Sequence, residues 1–267
     1  MRPTFGREYI ENEFKRITDG LSDPLTVYLI GGGAMSLRDL KGATKDIDLV
    51  VADSDAYGQL WAVLMDLGYS EVQSLDADYR ALGATSCVEN DDGCRLDIFN
   101  QQVANKLVLT KGMRERSESF LATDQLTVRL VSNEDIFLFK SVAGRDDDIE
   151  DMNMLVQTGL DYDVVRGELE AQIDRLGDDQ FATFVNEALV DLEEQYGVTT
   201  PIEDRVQELT TRYYRGLEVL QALDVPTTVD ELAADLDLDV AEVRDRVAYL
   251  AEFDRIVQDD GMVRPTE

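Results

Sequence analysis

Positive charge is what this sequence has least of. Of 267 residues 25 are basic, only six of them lysine, against 56 acidic residues, for a formal net charge of −31. No basic domain of the kind that coats nucleic acid can be cut from such a chain, so a nucleic-acid site, where one exists, has to be local. Long apolar runs are missing too: no window approaches the roughly eighteen uninterrupted apolar residues of a membrane span. The opening "MRPTFGREYIENEFKRITDG" carries charges where a signal peptide needs an apolar core, which predicts a cytoplasmic protein. Cysteine is nearly absent. Cys87 and Cys94 flank an apparent turn, and a lone pair in a chain of this size reads as two buried thiols rather than a bridge. There is no internal repeat and no low-complexity segment.

What is present is a regular apolar pattern, 44% of the residues, with acids interleaved along its whole length. A disordered acidic tail would concentrate charge and lack apolar residues, so the excess belongs to folded surfaces. Self-repulsion of that size destabilises a compact state in dilute buffer, whereas at molar salt the Debye length falls to about 3 Å. Beside the reading of an ordinary acidic protein, the composition favours the cytoplasm of a salt-loving organism, in keeping with the halophilic archaeon-like source that the resemblance described below implies, and charge then reports habitat rather than partner. The length predicts two or three units, the largest near 150 residues.

Along the chain, "REYIENEFKRI" repeats Ile10, Phe14 and Ile17 at helical spacing. "LTVYLI" reads as a strand ending at Gly31-Gly32-Gly33, followed by a short helix "AMSLRDL", and "DIDLVV" as a second strand. "DAYGQLWAVLMDLG" places Tyr57, Leu60, Trp61, Leu64 and Leu67 on one helical face, with Gly68 as its stop. "TSCVENDDGCRLDIFN" predicts two strands joined at Asn90–Gly93. A short helix is expected near Lys106, then a last strand "LTVRLV", then a helix "EDIFLFKSVAG" opened by a capping box of Ser132 and Asp135. From Ile149 the pattern is helical, and Thr200-Pro201 predicts the start of a long helix running to about Leu223. The remainder gives two short capped helices and a hairpin at Asp259-Asp260-Gly261, the order of a winged helix-turn-helix.

Residues two apart on a strand share a face, so Asp46 and Asp48 project together while Ile47 and Leu49 enter the core. Two such acids repel, and on a central strand they are costly unless a cation or a proton is shared. A divalent metal is the natural relief, with Asp97, an acid between apolar neighbours in "RLDIF", as a third oxygen ligand; magnesium favours such oxygen sites together with phosphate. A strand that ends in Gly-Gly lets backbone amides approach a phosphate, and the positive end of the following helix favours it. Metal and phosphate then meet in one cleft. Two rivals stand beside this: an exposed edge strand with solvated acids, and a dinucleotide-binding turn, since "GGGAMS" begins like G-x-G-x-x-G with Asp53 about twenty residues on. The second has Ser36 at the third glycine, and its helix, ending before Lys41-Gly42, is too short to cross a sheet.

The pattern Gly32-Gly33, twelve residues, Asp46-Ile47-Asp48-Leu49, then Leu96-Asp97-Ile98, resembles the polymerase-beta-like nucleotidyltransferase superfamily. "FKSVAGRDDDIEDMNMLV" is similar to the helical lysine-and-aspartate motif of the small prokaryotic AbiEii-type enzymes, many of them toxin-like. The resemblance covers roughly residues 5 to 160. It implies an α/β fold with a polymerase-beta-like core on a mixed sheet; with the helical middle region and the C-terminal winged helix-turn-helix read from the residue pattern, the chain divides as 1–158, 159–223 and 224–267. It implies that Asp46, Asp48 and Asp97 bind Mg2+ or Mn2+ and that Asp97 helps deprotonate an acceptor hydroxyl. Gly32 and Gly33 would contact a nucleoside triphosphate, Lys140 would neutralise it, and Asp148 would assist. Asp147 stands where related sequences commonly carry lysine, so Lys45 or Arg145 would complete the triphosphate grip.

The expected activity is metal-dependent transfer of a nucleoside monophosphate to the hydroxyl of an RNA or tRNA end, a protein or a small molecule, in a toxin-antitoxin setting with a cognate antitoxin protein as a partner and no membrane. The alternative is a DNA-binding regulator whose nucleotidyltransferase fold senses nucleotide or is inert. Arg244 and Arg246 on the second C-terminal helix, with Arg255 and Arg264 flanking the wing, are the residues that would touch RNA or DNA. They sit among many acids.

Overall fold

The computed structural model describes residues 2–73, 83–104, 106–177 and 179–266. These divide into two compact units, Met1–Gln172 with Glu187–Thr199, and Ile173–Asn186 with Thr200–Glu267.

The first unit is built on a seven-stranded mixed sheet with strand order β3-β4-β5-β2-β1-β9-β8. Its strands are β1 (Leu25–Ile30), β2 (Asp46–Val51), β3 (Ser70–Glu71), β4 (Ser86–Glu89), β5 (Arg95–Asn100), β8 (Glu118–Ala122) and β9 (Leu126–Leu130), while β6 (Gln102–Val103) and β7 (Leu107–Val108) form a separate ribbon. β2 is the central strand. It runs antiparallel to β1 and parallel to β5, and β1 runs parallel to β9. Alternation sends Val27 and Leu29, Ile47 and Leu49, Leu96 and Ile98, and Leu126 and Val128 into the core, each 1% exposed or less. Helix α1 (Arg7–Gly20) contributes Ile10, Phe14 and Ile17 to the same core, as its spacing predicts. Helix α3 (Ser54–Asp66) is capped by Asp53, whose carboxylate accepts from the Ala56 amide at 2.8 Å. That places Asp53 in a structural role, and the antiparallel β1–β2 pairing removes the parallel βαβ unit that a dinucleotide site requires.

The hairpin falls where expected: β4 pairs antiparallel with β5, and Asn90 accepts from the amides of Asp92 and Cys94 as Gly93 turns at φ +77°. Both cysteines are buried and free. Two local expectations are corrected. The short helix, α4, spans Lys111–Arg116 rather than the neighbourhood of Lys106. The chain first turns at Gln101 and Ala104, both at positive φ, and helix can start only after Thr110, whose hydroxyl accepts from the Met113 amide at 3.1 Å. The long helix, labelled α9 here (Glu203–Ala222), starts beyond Thr200-Pro201: Thr200 Oγ1 is buried without a hydrogen-bond partner, and the cap works in reverse, the Glu203 carboxylate accepting from the Thr200 amide. Strand β8 escaped the sequence reading.

The helices between are α2 (Gly31–Leu37), α5 (Asn133–Ala143), α6 (Asp146–Val156), α7 (Tyr162–Leu176) and α8 (Gln180–Tyr196). Ser132 caps α5 as expected, its hydroxyl accepting from the Asp135 amide at 3.2 Å.

In the second unit α9 is followed by β10 (Thr227–Thr228), α10 (Val229–Leu236), α11 (Val240–Glu252), β11 (Ile256–Asp259) and β12 (Met262–Pro265), the strands ordered β10-β12-β11. Thr228 and Glu231 make a reciprocal capping box for α10. Val219, Leu232, Val243, Val247 and Val263 fill a small core of this unit.

Candidate active site

Because β2 is central, its acids stand in the middle of the sheet, and the edge-strand alternative falls. The parallel register pairs Asp48 with Asp97 and Asp46 with Arg95, so all four side chains share a face. The turn after β1 is fitted to them. Gly31 holds φ +59°, and a Cβ there would lie 2.4 Å from Asp48 Oδ2, so glycine is needed for both conformation and space. A Cβ on Gly32 would meet Thr44 Oγ1 at 2.8 Å, and one on Gly33 would meet Leu29 Cδ1 at 3.2 Å. Gly32 thus faces the cleft above the acids, whereas Gly33 is turned into the core against β1 and is not among the cleft residues. The glycine that touches an acid is Gly31, which sequence reasoning passed over although it is the first of the three. Helix α2 has seven residues, so what the turn offers is close approach of backbone more than a long helix dipole.

The strand acids are short of positive charge. Burial, then the neighbouring Asp97 and Asp46 carboxylates, push the Asp48 carboxyl up to about 8. Burial likewise raises Asp97 to about 6, against the Cys87 thiol and Arg95, which favour its ionised form. Asp97 is 1% exposed and lies beside Asp48, beneath the cleft rather than on its wall. Its Oδ1 is buried with no hydrogen-bond partner. Asp46 has a local cation: Arg2 approaches it at 2.5 Å.

Opposite, α5 and α6 supply a closed ion-pair network. Lys140 Nζ lies 2.7 Å from both Asp148 Oδ1 and Asp151 Oδ2, Lys41 Nζ lies 2.6 Å from Asp151 Oδ1, and Arg145 Nε lies 2.7 Å from Asp148 Oδ2. Burial alone would raise Asp148, but Lys140 and Arg145 outweigh it and hold the carboxyl below the usual range. Lys140 is held above its ordinary value, its burial outweighed by Asp148 and Asp151. Lys45 stands at the rim, 3.6 Å from Asp147. Between the walls lies a cleft of about 480 Å³, lined among others by Gly32, Lys41, Lys45, Asp46, Asp48, Lys140, Arg145 and Asp148. Lys41 and Arg2 had no motif to announce them, and Asp151 lies inside the helical lysine-and-aspartate segment without having been singled out. The only sequence signal for Lys41 is the rarity of lysine, and it meets Asp151 across 110 positions.

The donor set suits a hard cation. It is all carboxylate oxygen, one oxygen is buried and unmatched, and the chain has no histidine to favour a softer metal. Among the described residues no three acids already converge as a finished metal cage, so Asp46, Asp48 and Asp97 would complete their coordination with phosphate oxygens or water.

The C-terminal arginines belong to the second unit. Arg246 is 8% exposed and turned inward, 2.5 Å from Glu218 and 2.7 Å from Glu242, so its charge is consumed within its own unit. Arg244, Arg255 and Arg264 are exposed.

Residues 9–196 match the model of a family described as a nucleotidyltransferase of unknown function (DUF6036). The chain belongs to this family. The match runs from α1 to the end of α8 and so includes the glycine turn, the three strand acids and the Lys140–Asp148 helices. No curated protein matches the chain. No described helix is long and apolar enough to cross a membrane.

Proposed function

We propose that the protein transfers a nucleoside monophosphate from a nucleoside triphosphate to an acceptor hydroxyl, with Mg2+ or Mn2+. The observation that carries this reading is the register of β2 and β5, which sets Asp97 beside Asp48, with Asp46 two residues away, under a cleft that also holds Lys41, Lys140 and Arg145, each fixed by an aspartate. A divalent ion held by Asp46, Asp48 and Asp97 would neutralise triphosphate oxygens and the charge that develops as the phosphoryl group moves.

The chain's own groups do the rest. Gly32 lets backbone approach the phosphates. Lys140, fixed by two aspartates, and Lys41 and Arg145 beside it present positive charge without having to be ordered on binding, the preorganisation that electrostatic catalysis needs. With no histidine in the chain, the proton of the attacking hydroxyl has to be received by a carboxylate or lost to water, and Asp97, raised toward neutrality with a free Oδ1, is the group suited to receive it. The likeness of the α5–α6 pair to AbiEii-type enzymes supports a toxin-like role with a cognate antitoxin. The helix, helix, hairpin order of residues 229–265 supports a winged helix whose inward-facing Arg246 favours a structural or protein-contact use over DNA reading.

The test is incubation with each α-labelled nucleoside triphosphate, Mg2+ or Mn2+, and total RNA or protein, over a range of salt. Label should pass to a macromolecule from wild type and not from Asp48→Asn. Nucleotide binding without transfer across all acceptors would instead support a nucleotide-sensing regulator.

A further inference from the structure

The sheet face that carries Asp48 continues into a second, differently charged site. On β1, Thr26, Tyr28 and Ile30 share one face, and Ile30 is the register partner of Asp48. The β1–β9 register sets Thr127 beside Thr26 and Arg129 beside Tyr28 on that same face. Helix α4 adds Lys111 and Arg114, and together these residues with Glu115 line an open depression of about 590 Å³. It holds three positive charges against one negative, and Glu115 is partly spent on Lys111 at 3.4 Å. In a chain with more than twice as many acids as bases, that is a local reversal of sign.

The mounting is rigid. Met113 is buried, Thr110 caps the helix, and Arg116 fastens its end to Asp135 at 2.6 Å and Glu168 at 2.5 Å. Arg129 is aimed by donating to Ser117 Oγ at 2.7 Å. None of these anchors uses the ammonium of Lys111 or the guanidinium of Arg114, and both side chains are exposed.

We infer that this depression binds the phosphodiester backbone of a nucleic-acid acceptor, leading its terminal hydroxyl along the strand face toward Asp48. This rests on the transferase reading and names its acceptor class. From Ile30 to Tyr28 is two residues, about 7 Å, and β9 is about 5 Å further across, so the cations lie within a few nucleotides of the acids. Phosphates need cations and hydroxyl donors rather than a groove code, and Lys111, Arg114, Thr26 and Thr127 supply both. At physiological salt the acids more than about 8 Å away are largely screened, so the local sign decides.

The experiment uses the full chain and a short fluorescent oligouridylate, with its deoxy counterpart as a second arm that separates RNA from DNA. Anisotropy is followed over a series of KCl concentrations for wild type and Lys111→Gln/Arg114→Gln. Wild type should bind, and the double variant should bind roughly ten- to a hundredfold more weakly at low salt, with a log–log salt slope shallower by about 2. Its Mg–ATP affinity should not change. Equal oligonucleotide affinity and slope in both proteins would overturn the inference, as would undiminished transfer by the double variant to an oligonucleotide acceptor. Asp48→Asn separates the two readings: it should abolish transfer and leave anisotropy unchanged. If wild type transfers nothing while the double variant still loses oligonucleotide binding, the binding site stands and the transferase reading fails.

Discussion

On the strand side of the cleft, Asp48 and Asp97 stand next to each other with their carboxyls raised toward neutrality, and Asp97 keeps an unmatched oxygen. On the helix side, Asp148 and Asp151 are as buried as Asp97, yet each oxygen of Asp148 has a cation within 2.7 Å. Both walls bury acids. The helix wall supplies a counter-charge to each of its two buried acids, while on the strand wall Arg2 reaches Asp46 and leaves Asp48 and Asp97 in deficit, so one wall is a finished structural element and the other is not. The difference teaches where to look for chemistry: a buried acid that the fold has already neutralised holds the structure together, and one that it has not is waiting for something from outside.

The strongest way to break that contrast is Lys140→Ala. It strands Asp148 and Asp151, 0% and 1% exposed, without their shared partner, and should cost about 3–5 kcal/mol by denaturant titration. Gly31→Ala comes next. It forces a side chain into φ +59° and against Asp48 Oδ2, and should cost about 1–2 kcal/mol while moving the acid and removing transfer.

A third test uses the opposite signs of the two walls in pH. The folded carboxyl of Asp48 titrates near 8, above the value of about 4 of an unfolded aspartate, so the metal-free folded protein binds the extra proton. Stability in chelator should therefore fall as pH rises from about 4 to 8, and Asp48→Asn should flatten that slope. Asp148 is depressed, so its contribution is present above pH 4 and lost as pH falls below it, which should survive in Asp48→Asn and vanish in Asp148→Asn. The smallest effect is expected at the rim. Lys45→Ala breaks an exposed pair with Asp147, should change stability by under about 0.5 kcal/mol, and should raise the KM for nucleoside triphosphate more than it lowers kcat.

Much of the strand wall was legible because its signal is periodic and local. Acid-apolar-acid in "DIDLVV" can be satisfied only by a strand with both acids on one face, and the Asn90–Gly93 turn fixes β4 against β5. The helix wall was legible in part: Lys140 and Asp148 lie eight residues apart on consecutive helices. Arg2 and Lys41 were not, because each meets its aspartate through tertiary contact over tens of residues and carries no pattern of its own. Gly31 went unread for a related reason. Three glycines in a row look alike in sequence, and only the backbone turn decides which one faces Asp48 and which one faces Leu29. Thr200-Pro201 misled because a buried threonine hydroxyl cannot cap when the neighbouring carboxylate already holds its amide.

The segment that begins the described chain has a further consequence. Phe5 and Thr44 exchange two backbone hydrogen bonds, 2.7 and 3.0 Å long, and from that clasp Arg2 reaches Asp46. A divalent ion that takes the same carboxylate oxygen must displace the guanidinium. By reciprocity, whatever the ion gains is diminished by the free energy of that contact, and the ordering of residues 2–5 is weakened by the same amount when the ion binds. Amide exchange at Phe5 and Thr44 therefore becomes a gauge of cation occupancy, read from the backbone and independent of any substrate.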